Sequence, residues 1–143
     1  MTLDELKEIV YKKLPINQDR LDTEALNNQR LYAEFIDYKT NFEFLLAKAK
    51  GDYKKLYRDK WEYYGGKADA KVYATKPFDL KVLKGDLNIY IESDQEIIDA
   101  ENKIIYLETT SKYIDGVLKS IQSRGWDIKN AIEWKKFEAG LTY

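Results

Sequence analysis

The chain has 143 residues with 24 basic and 25 acidic side chains, so its net charge of −1 cannot draw it onto nucleic acid as a whole. It has no cysteine and no histidine, which excludes disulfides, thiolate metal sites and the commonest general base. This length predicts one domain, residues 1–143, and seven glycines with two prolines are too few for a protein built from many tight turns.

The N-terminal segment predicts a short amphipathic helix over residues 3–14. Thr2 and Glu5 have the spacing of a capping box, and Pro15 ends the helix. The segment lacks the apolar core of a signal peptide, and no apolar run in the chain is long enough to span a membrane. We therefore expect the protein to act inside a cell.

Residues 17–64 predict the first long helix. Apolar and aromatic residues recur in steps of three and four, which is the 3.5-residue period of a coiled-coil-like seam. Gly65 and Gly66 are expected to stop this helix. The predicted seam contains Leu21, Ala25, Asn28, Tyr32, Phe35, Lys39, Phe42, Leu46, Ala49, Tyr53, Leu56, Lys60 and Tyr63.

Residues 65–92 predict a connector that includes a small β-hairpin at about residues 78–91. Phe78, Leu80 and Val82 alternate with polar residues, and the same alternation returns at Leu87 after a Lys-Gly-Asp turn. A period of two residues is typical of a strand with one buried face.

Residues 93–143 predict a second long helix followed by a short C-terminal one. Ser93 or Asp94 can cap the long helix, Gly125 is placed to end it, and Asp127 can start a final helix that Gly140 ends. Matching seams in the two long helices favour an antiparallel pair. The predicted fold class is therefore mainly α.

A basic–aromatic stretch over residues 48–64 is the strongest candidate site. Cations that neutralise phosphates and flat rings that stack on bases are the combination that single-strand binding needs. A solvated helix face with tyrosines in the seam would show the same pattern. The candidate DNA-binding residues are Lys50, Lys54, Lys55, Tyr57, Arg58, Lys60, Trp61, Tyr63 and Tyr64.

Arg58 and Lys60 lie about 200° apart on a regular helix, at about 100° per residue. One straight helix cannot direct both side chains at one strand. Either the helix frays near its end, or neighbouring subunits present the two residues to a shared strand.

The C-terminal segment is apolar on more than one side, which suits either packing within one subunit or an interface between subunits. Its large apolar residues are Trp126, Ile128, Ile132, Trp134 and Phe137.

No sequence signal indicates an enzyme or a bound cofactor. The acidic residues from Glu92 to Glu101 surround the start of a helix, where carboxylates are favourable in any case. A glycine-rich phosphate loop is missing from the sequence, which argues against nucleotide hydrolysis.

Three motifs, in order, make the chain resemble the UvsY family of recombination mediators from T4-like bacteriophages. The first motif is matched by Glu24, Ala25, Asn27, Asn28, Leu31 and Tyr32. The second is matched by Arg58, Lys60, Tyr63, Tyr64 and Gly66. The third and most specific is matched by Ser123, Arg124, Gly125, Trp126, Ile128, Lys129, Phe137, Glu138, Ala139 and Gly140.

The resemblance implies a protein without catalytic activity that binds single-stranded DNA. It implies that the protein helps to load a RecA-like recombinase onto strands covered by single-strand-binding protein, in the cytoplasm of an infected bacterium. It also implies a ring-like homo-oligomer of six or seven subunits, with the C-terminal region important for assembly.

The family's basic pair falls on Arg58 and Lys60. In this chain the two cation types are exchanged relative to the family pattern, and arginine and lysine differ in binding geometry. The segment 67–78 matches the family poorly. A coiled-coil scaffold or a phage structural protein without DNA binding is the alternative that the same seams and aromatic tail would fit.

Overall fold

The computed structural model describes residues 1–140 and contains five α-helices. They are α1 (Leu3–Lys13), α2 (Leu21–Tyr64), α3 (Ala70–Thr75), α4 (Leu87–Glu92) and α5 (Gln95–Glu138), and a 3-10 turn (Lys84–Asp86) precedes α4. No strand occurs in the described residues, so the mainly α prediction is confirmed.

The start of α1 and the end of α2 follow the sequence signals. The Thr2 hydroxyl accepts a hydrogen bond from the Glu5 backbone, and the Glu5 carboxylate accepts one from the Thr2 backbone, which completes the capping box of α1. After α2 the chain turns through Gly66, whose φ is +75°, a value that few other residues adopt readily. The Lys67 N–H then donates to the carbonyl of Glu62, so that α2 ends in a Schellman motif.

The chain forms two compact units, and α2 and α5 contribute to both. The first unit contains Met1–Phe42 together with the chain from Thr109 onward. There α2 and α5 run antiparallel, since Asn28 donates to the carbonyl of Ile121 at 3.0 Å and Lys39 pairs with Asp115. The buried apolar residues of α2 and α5 in this unit include Leu21, Phe35, Phe42, Ile114, Leu118 and Ile121.

The second unit is Glu43–Glu108. Its stretches of α2 and α5 are also antiparallel, because Lys50 pairs with Glu108 at 3.6 Å and the Tyr53 hydroxyl donates to Glu101 at 3.1 Å. Its core is formed by Leu87, Ile91 and Ile97, with Tyr53, Leu56, Tyr57, Tyr64 and Val82 packed against it.

The prediction of a β-hairpin over residues 78–91 is wrong. Leu87 and Ile91 are buried on one face of α4, whereas Ile89 between them is 64% exposed. Residues spaced by four share a helix face, so the same apolar residues that alternate along a strand also form a helical stripe.

The prediction of a helix end at Gly125, with a separate helix after Asp127, is also wrong. The helix α5 continues through this point to Glu138, and Gly125 does not have a positive φ. A Cβ added at Gly125 would lie 3.3 Å from Nδ2 of Asn28, so the missing side chain permits a close approach of α2. At the true end of α5, Gly140 has the expected positive φ of +77°.

Candidate nucleic-acid interface

One face of α2 carries exposed cations beside an exposed indole ring. Lys50, Lys54, Arg58 and Trp61 follow one another at spacings of four, four and three, so they lie within about 80° on a regular helix. Trp61 is 39% exposed, and the ammonium of Lys67 lies 4.4 Å from the centre of its ring. We call these five residues the Arg58 face.

The cations of the Arg58 face are weakly engaged by the protein itself. The Arg58 side chain is 66% exposed and lies 3.6 Å from its sequence neighbour Asp59. Lys50 lies 3.6 Å from Glu108, and Lys54 forms no ion pair with any residue that the structure describes. Lys55 is exposed too, but the helix rotates it to the edge of this face. Solvated cations of this kind can exchange their water for a phosphate at low cost.

Lys60 is in the opposite situation. Its side chain is only 15% exposed, and its ammonium lies 3.2 Å from Asp94 and 3.4 Å from Glu96. As their angular separation on the helix predicts, the two residues have different environments. Arg58 is open to solvent, whereas Lys60 lies against two carboxylates.

Asp94 is the centre of the network that holds Lys60. Its Oδ1 atom accepts from the backbone N–H of Glu96 at 2.9 Å, which caps α5, and its Oδ2 atom accepts from the Tyr64 hydroxyl at 2.6 Å. Burial alone would raise the pKa of the Asp94 carboxyl, but the hydrogen bonds from Tyr64 and Lys60 outweigh it and lower the pKa. Burial, followed by the bond to Asp94, raises the pKa of Tyr64, so its hydroxyl stays a donor.

The three tyrosines predicted to bind DNA are engaged in contacts within the protein. The Tyr57 hydroxyl donates to the side chain of Asn88, and the Tyr63 hydroxyl donates to the backbone carbonyl of Lys76. The Tyr63 ring stacks on Tyr73 at 5.5 Å, and the Tyr64 ring packs on Phe78 at 5.0 Å. Trp61 is therefore the ring of the predicted set that is best placed to stack on a base.

The connector after α2 places further charges near this end of the helix. The Tyr73 hydroxyl donates to the carbonyl of Tyr63 at 2.7 Å, and the Lys76 ammonium lies 3.7 Å from Glu96. Sequence reasoning missed Lys67 and Lys76, because nothing in the sequence pairs a connector with a helix. It noted Glu96 only as part of an acidic helix start.

In the first unit, the first and third sequence motifs meet around a buried arginine. Arg124 is 6% exposed, and its guanidinium donates to the carbonyl of Leu14 at 2.7 Å, to Asn28 Oδ1 at 3.0 Å and to the carboxylate of Glu24. Five fixed donors let one arginine satisfy groups from three directions. This network connects the end of α1 to α2 and α5.

The predicted assembly residues in the C-terminal part of α5 fall into two groups. Ile128 is fully buried within its unit and Ile132 is half-buried, so both pack within the subunit. Trp126, Trp134 and Phe137 are each more than 60% exposed, and the rings of Trp134 and Phe137 stack at 5.5 Å. We call these three residues the aromatic face.

None of the helices in residues 1–140 is both long and apolar enough to cross a membrane. Within the same residues, no group of three or more Asp and Glu side chains is arranged to hold a metal ion.

Comparisons with known proteins agree over nearly the whole chain. The family described as "Recombination, repair and ssDNA binding protein UvsY" matches residues 10–141. The recombination protein UvsY of Enterobacteria phage T4 is 24% identical over 140 residues, which cover 98% of this chain and 99% of that protein.

Crystal structures of the bacteriophage T4 recombination mediator protein UvsY have the same fold. One lattice form gives a TM-score of 0.83 at 24% identity and covers 97% of this chain and 98% of the other. A second form gives 0.82 at 22% identity and covers 94% and 98%.

Proposed function

Because this chain belongs to the UvsY family of recombination, repair and single-stranded-DNA-binding proteins, we propose that it is a recombination mediator without catalytic activity. It binds single-stranded DNA and promotes the loading of a RecA-like recombinase onto strands covered by single-strand-binding protein. It acts in phage homologous recombination and in recombination-dependent replication and repair, inside the infected bacterial cell.

The observation that carries this proposal is the Arg58 face. Lys50, Lys54 and Arg58 supply a row of solvated cations for successive phosphates, and Trp61 supplies a ring for a base. A phosphate backbone is bound mainly by releasing its counterions, and a ring stacks on any base, so this chemistry is independent of sequence. Because the net charge is near zero, binding depends on local clusters of cations such as this face and not on the field of the whole protein.

The second part of the proposal is a homo-oligomeric ring of six or seven subunits. An aromatic face of three exposed rings is the kind of surface that a partner buries, and the partner proposed here is another copy of the chain. A ring places several Arg58 faces on one strand. Avidity then raises the overall affinity although each single site is weak.

The mediator changes the competition for the strand without consuming nucleotide. A protein shifts an equilibrium only as far as it binds one state better than another. Here the favoured state is a strand held along the ring, which weakens the contacts of the single-strand-binding protein and exposes a start site for the recombinase.

The experiment is a binding titration with a fluorescein-labelled oligo(dT) strand, followed by anisotropy at several salt concentrations. The variant Lys54→Ala/Arg58→Ala should lose about tenfold in affinity, and the slope of log K against log salt should become shallower by about 1 to 2. Trp61→Ala should weaken binding with little change of slope, because stacking releases no counterions.

The control variant Lys103→Ala/Lys119→Ala removes the same charge from exposed positions on α5. It should bind like the wild type. If the unaltered protein does not bind the strand, a scaffold without a DNA role replaces this proposal. If the protein binds but both double variants bind equally, the Arg58 face is not the binding site.

The loading step needs its own assay. A recombinase is added to a strand covered by single-strand-binding protein, with and without the mediator, and filament formation is followed. The mediator should shorten the lag before filament growth, and Lys54→Ala/Arg58→Ala should lengthen it again.

A further inference from the structure

Two lysines share one carboxylate oxygen at the end of α2. Oε1 of Glu96 lies 3.4 Å from the ammonium of Lys60 and 3.7 Å from the ammonium of Lys76. Two cations that converge on one oxygen form an arrangement that suits a phosphate oxygen equally well. In this structure the position between the two ammonium groups is occupied by the Glu96 carboxylate.

The connector holds Lys76 in this position. Its backbone carbonyl accepts from the Tyr63 hydroxyl at 3.0 Å, and the Tyr73 hydroxyl in turn donates to the carbonyl of Tyr63 at 2.7 Å. The rings of Tyr63 and Tyr73 stack as well. Lys76 is therefore fixed at the end of α2 although it lies in a segment outside the long helices.

The two carboxylates at Lys60 differ in how firmly they are held. The Asp94 side chain is 10% exposed and accepts from the Tyr64 hydroxyl and from the start of α5. The Glu96 side chain is 54% exposed, and both of its cation contacts are longer than 3.3 Å. Glu96 can leave without disturbing the helix cap, whereas Asp94 cannot.

We propose that the Glu96 side chain occupies a phosphate-binding site formed by Lys60 and Lys76, and that single-stranded DNA binds these two lysines by displacing the Glu96 side chain. This inference rests on the proposed function and extends it, because it adds a second contact on the side of α2 that faces away from Arg58. It also assigns a role to the connector: the connector brings Lys76 to the strand.

The surrounding charges determine how a phosphate can enter this phosphate-binding site. A cavity of about 670 Å³ adjoins it, and its lining carries five carboxylates against the two lysines. The other carboxylates are Asp59, Glu62, Asp69 and Asp94. A phosphate added to this lining would be repelled, whereas a phosphate that replaces Glu96 leaves the local charge unchanged. The strand therefore enters by exchange, and Glu96 weakens DNA binding.

The test compares Glu96→Gln with Asp115→Asn in the oligo(dT) titration. Each change removes one carboxylate, but Glu96 contacts Lys60 and Lys76, whereas Asp115 belongs to the first unit and pairs with Lys39. Glu96→Gln should bind about threefold to tenfold more tightly at low salt, with a slope steeper by about 1. Asp115→Asn should stay within twofold of the wild type.

Adding Lys76→Ala to Glu96→Gln distinguishes binding at this phosphate-binding site from a general effect of the removed negative charge. The proposal requires this second change to abolish the gain. A gain that survives it, or a Glu96→Gln variant that binds like Asp115→Asn, overturns the proposal. Failure of the proposed function would look different, because then the unaltered protein would not bind the strand and Lys54→Ala/Arg58→Ala would have no effect.

Discussion

The ammonium of Lys60 lies 3.2 Å from the carboxylate of Asp94, and this ion pair joins the end of α2 to the residue that immediately precedes α5. The same carboxylate caps α5 and accepts from Tyr64. Lys60 is therefore needed to compensate a charge that is largely removed from water. Its neighbour Arg58 has no such task, so the two members of the basic pair differ in what their loss will do.

We expect Lys60→Ala and Arg58→Ala to differ in stability. Lys60→Ala leaves Asp94 without its cation, which should cost about 1–3 kcal/mol in the free energy of unfolding. Arg58→Ala should stay within about 0.5 kcal/mol of the wild type, because it removes an exposed side chain. Thermal denaturation at equal protomer concentrations measures both. Equal losses would contradict the assignment.

The contribution of Asp94 to stability should depend on pH. A carboxyl group whose pKa is lowered by folding stabilises the protein above its unfolded pKa of about 3.9, and this stability is lost as the pH falls through the folded pKa. Asp94→Asn should therefore be less stable than the wild type at pH 7, and the difference should shrink below about pH 4. Urea denaturation from pH 7 to pH 3 tests this, and a constant difference would contradict it.

Much of the helical framework could be predicted because periodic burial determines it. Phe35, Phe42 and Ala49 are spaced by seven and all are buried, so the period indicated both the helix and its inner face. The Thr2 cap and the stop at Gly66 depend on neighbouring residues alone. Local signals of this kind are present in the sequence whatever the tertiary structure is.

The candidate site was less predictable because its parts come from distant positions in the chain. Lys60 stood both in the seam and in the basic–aromatic stretch, and only its contact with Asp94, 34 residues later, shows that it is enclosed. Lys76 lies in a connector without periodicity. At Leu87 and Ile91 the pattern fitted two periods, and tertiary packing favoured the helix.

Arg124 should be among the most sensitive positions for stability in the first unit. Arg124→Met removes the donors to Leu14, Asn28 and Glu24 and leaves a carboxylate that is mostly buried without a cation. The expected loss is about 3–5 kcal/mol in the free energy of unfolding. Lys119→Met is the matched control on α5, because Lys119 is exposed and should change stability by less than about 0.5 kcal/mol.

Arg124→Lys refines this prediction. A single ammonium cannot reach acceptors that lie in three directions, so lysine should recover only part of the loss. Denaturant unfolding followed by circular dichroism gives the order wild type, lysine variant, methionine variant. A lysine variant as stable as the wild type would show that stability depends on the positive charge at this position and not on the geometry of the guanidinium.

The aromatic face should determine assembly. Trp134→Glu places a charge beside the Phe137 ring at a position that is 61% exposed, so the isolated subunit should tolerate it while a buried interface should not. We expect the native mass, measured by sedimentation or native mass spectrometry, to fall toward that of the subunit. The apparent affinity for oligo(dT) should fall at least tenfold with it, because avidity is lost although the Arg58 face is intact.

Tyr11→Glu is the control for Trp134→Glu, since Tyr11 is an aromatic residue on α1 that is 76% exposed. It should keep both the assembly and the affinity, and the helical circular dichroism signal should be unchanged in both variants. If Trp134→Glu sediments as the wild type does, the aromatic face is not the interface. If it dissociates but binds the strand as tightly as before, the Arg58 face acts without avidity, and the ring has to serve the later loading step.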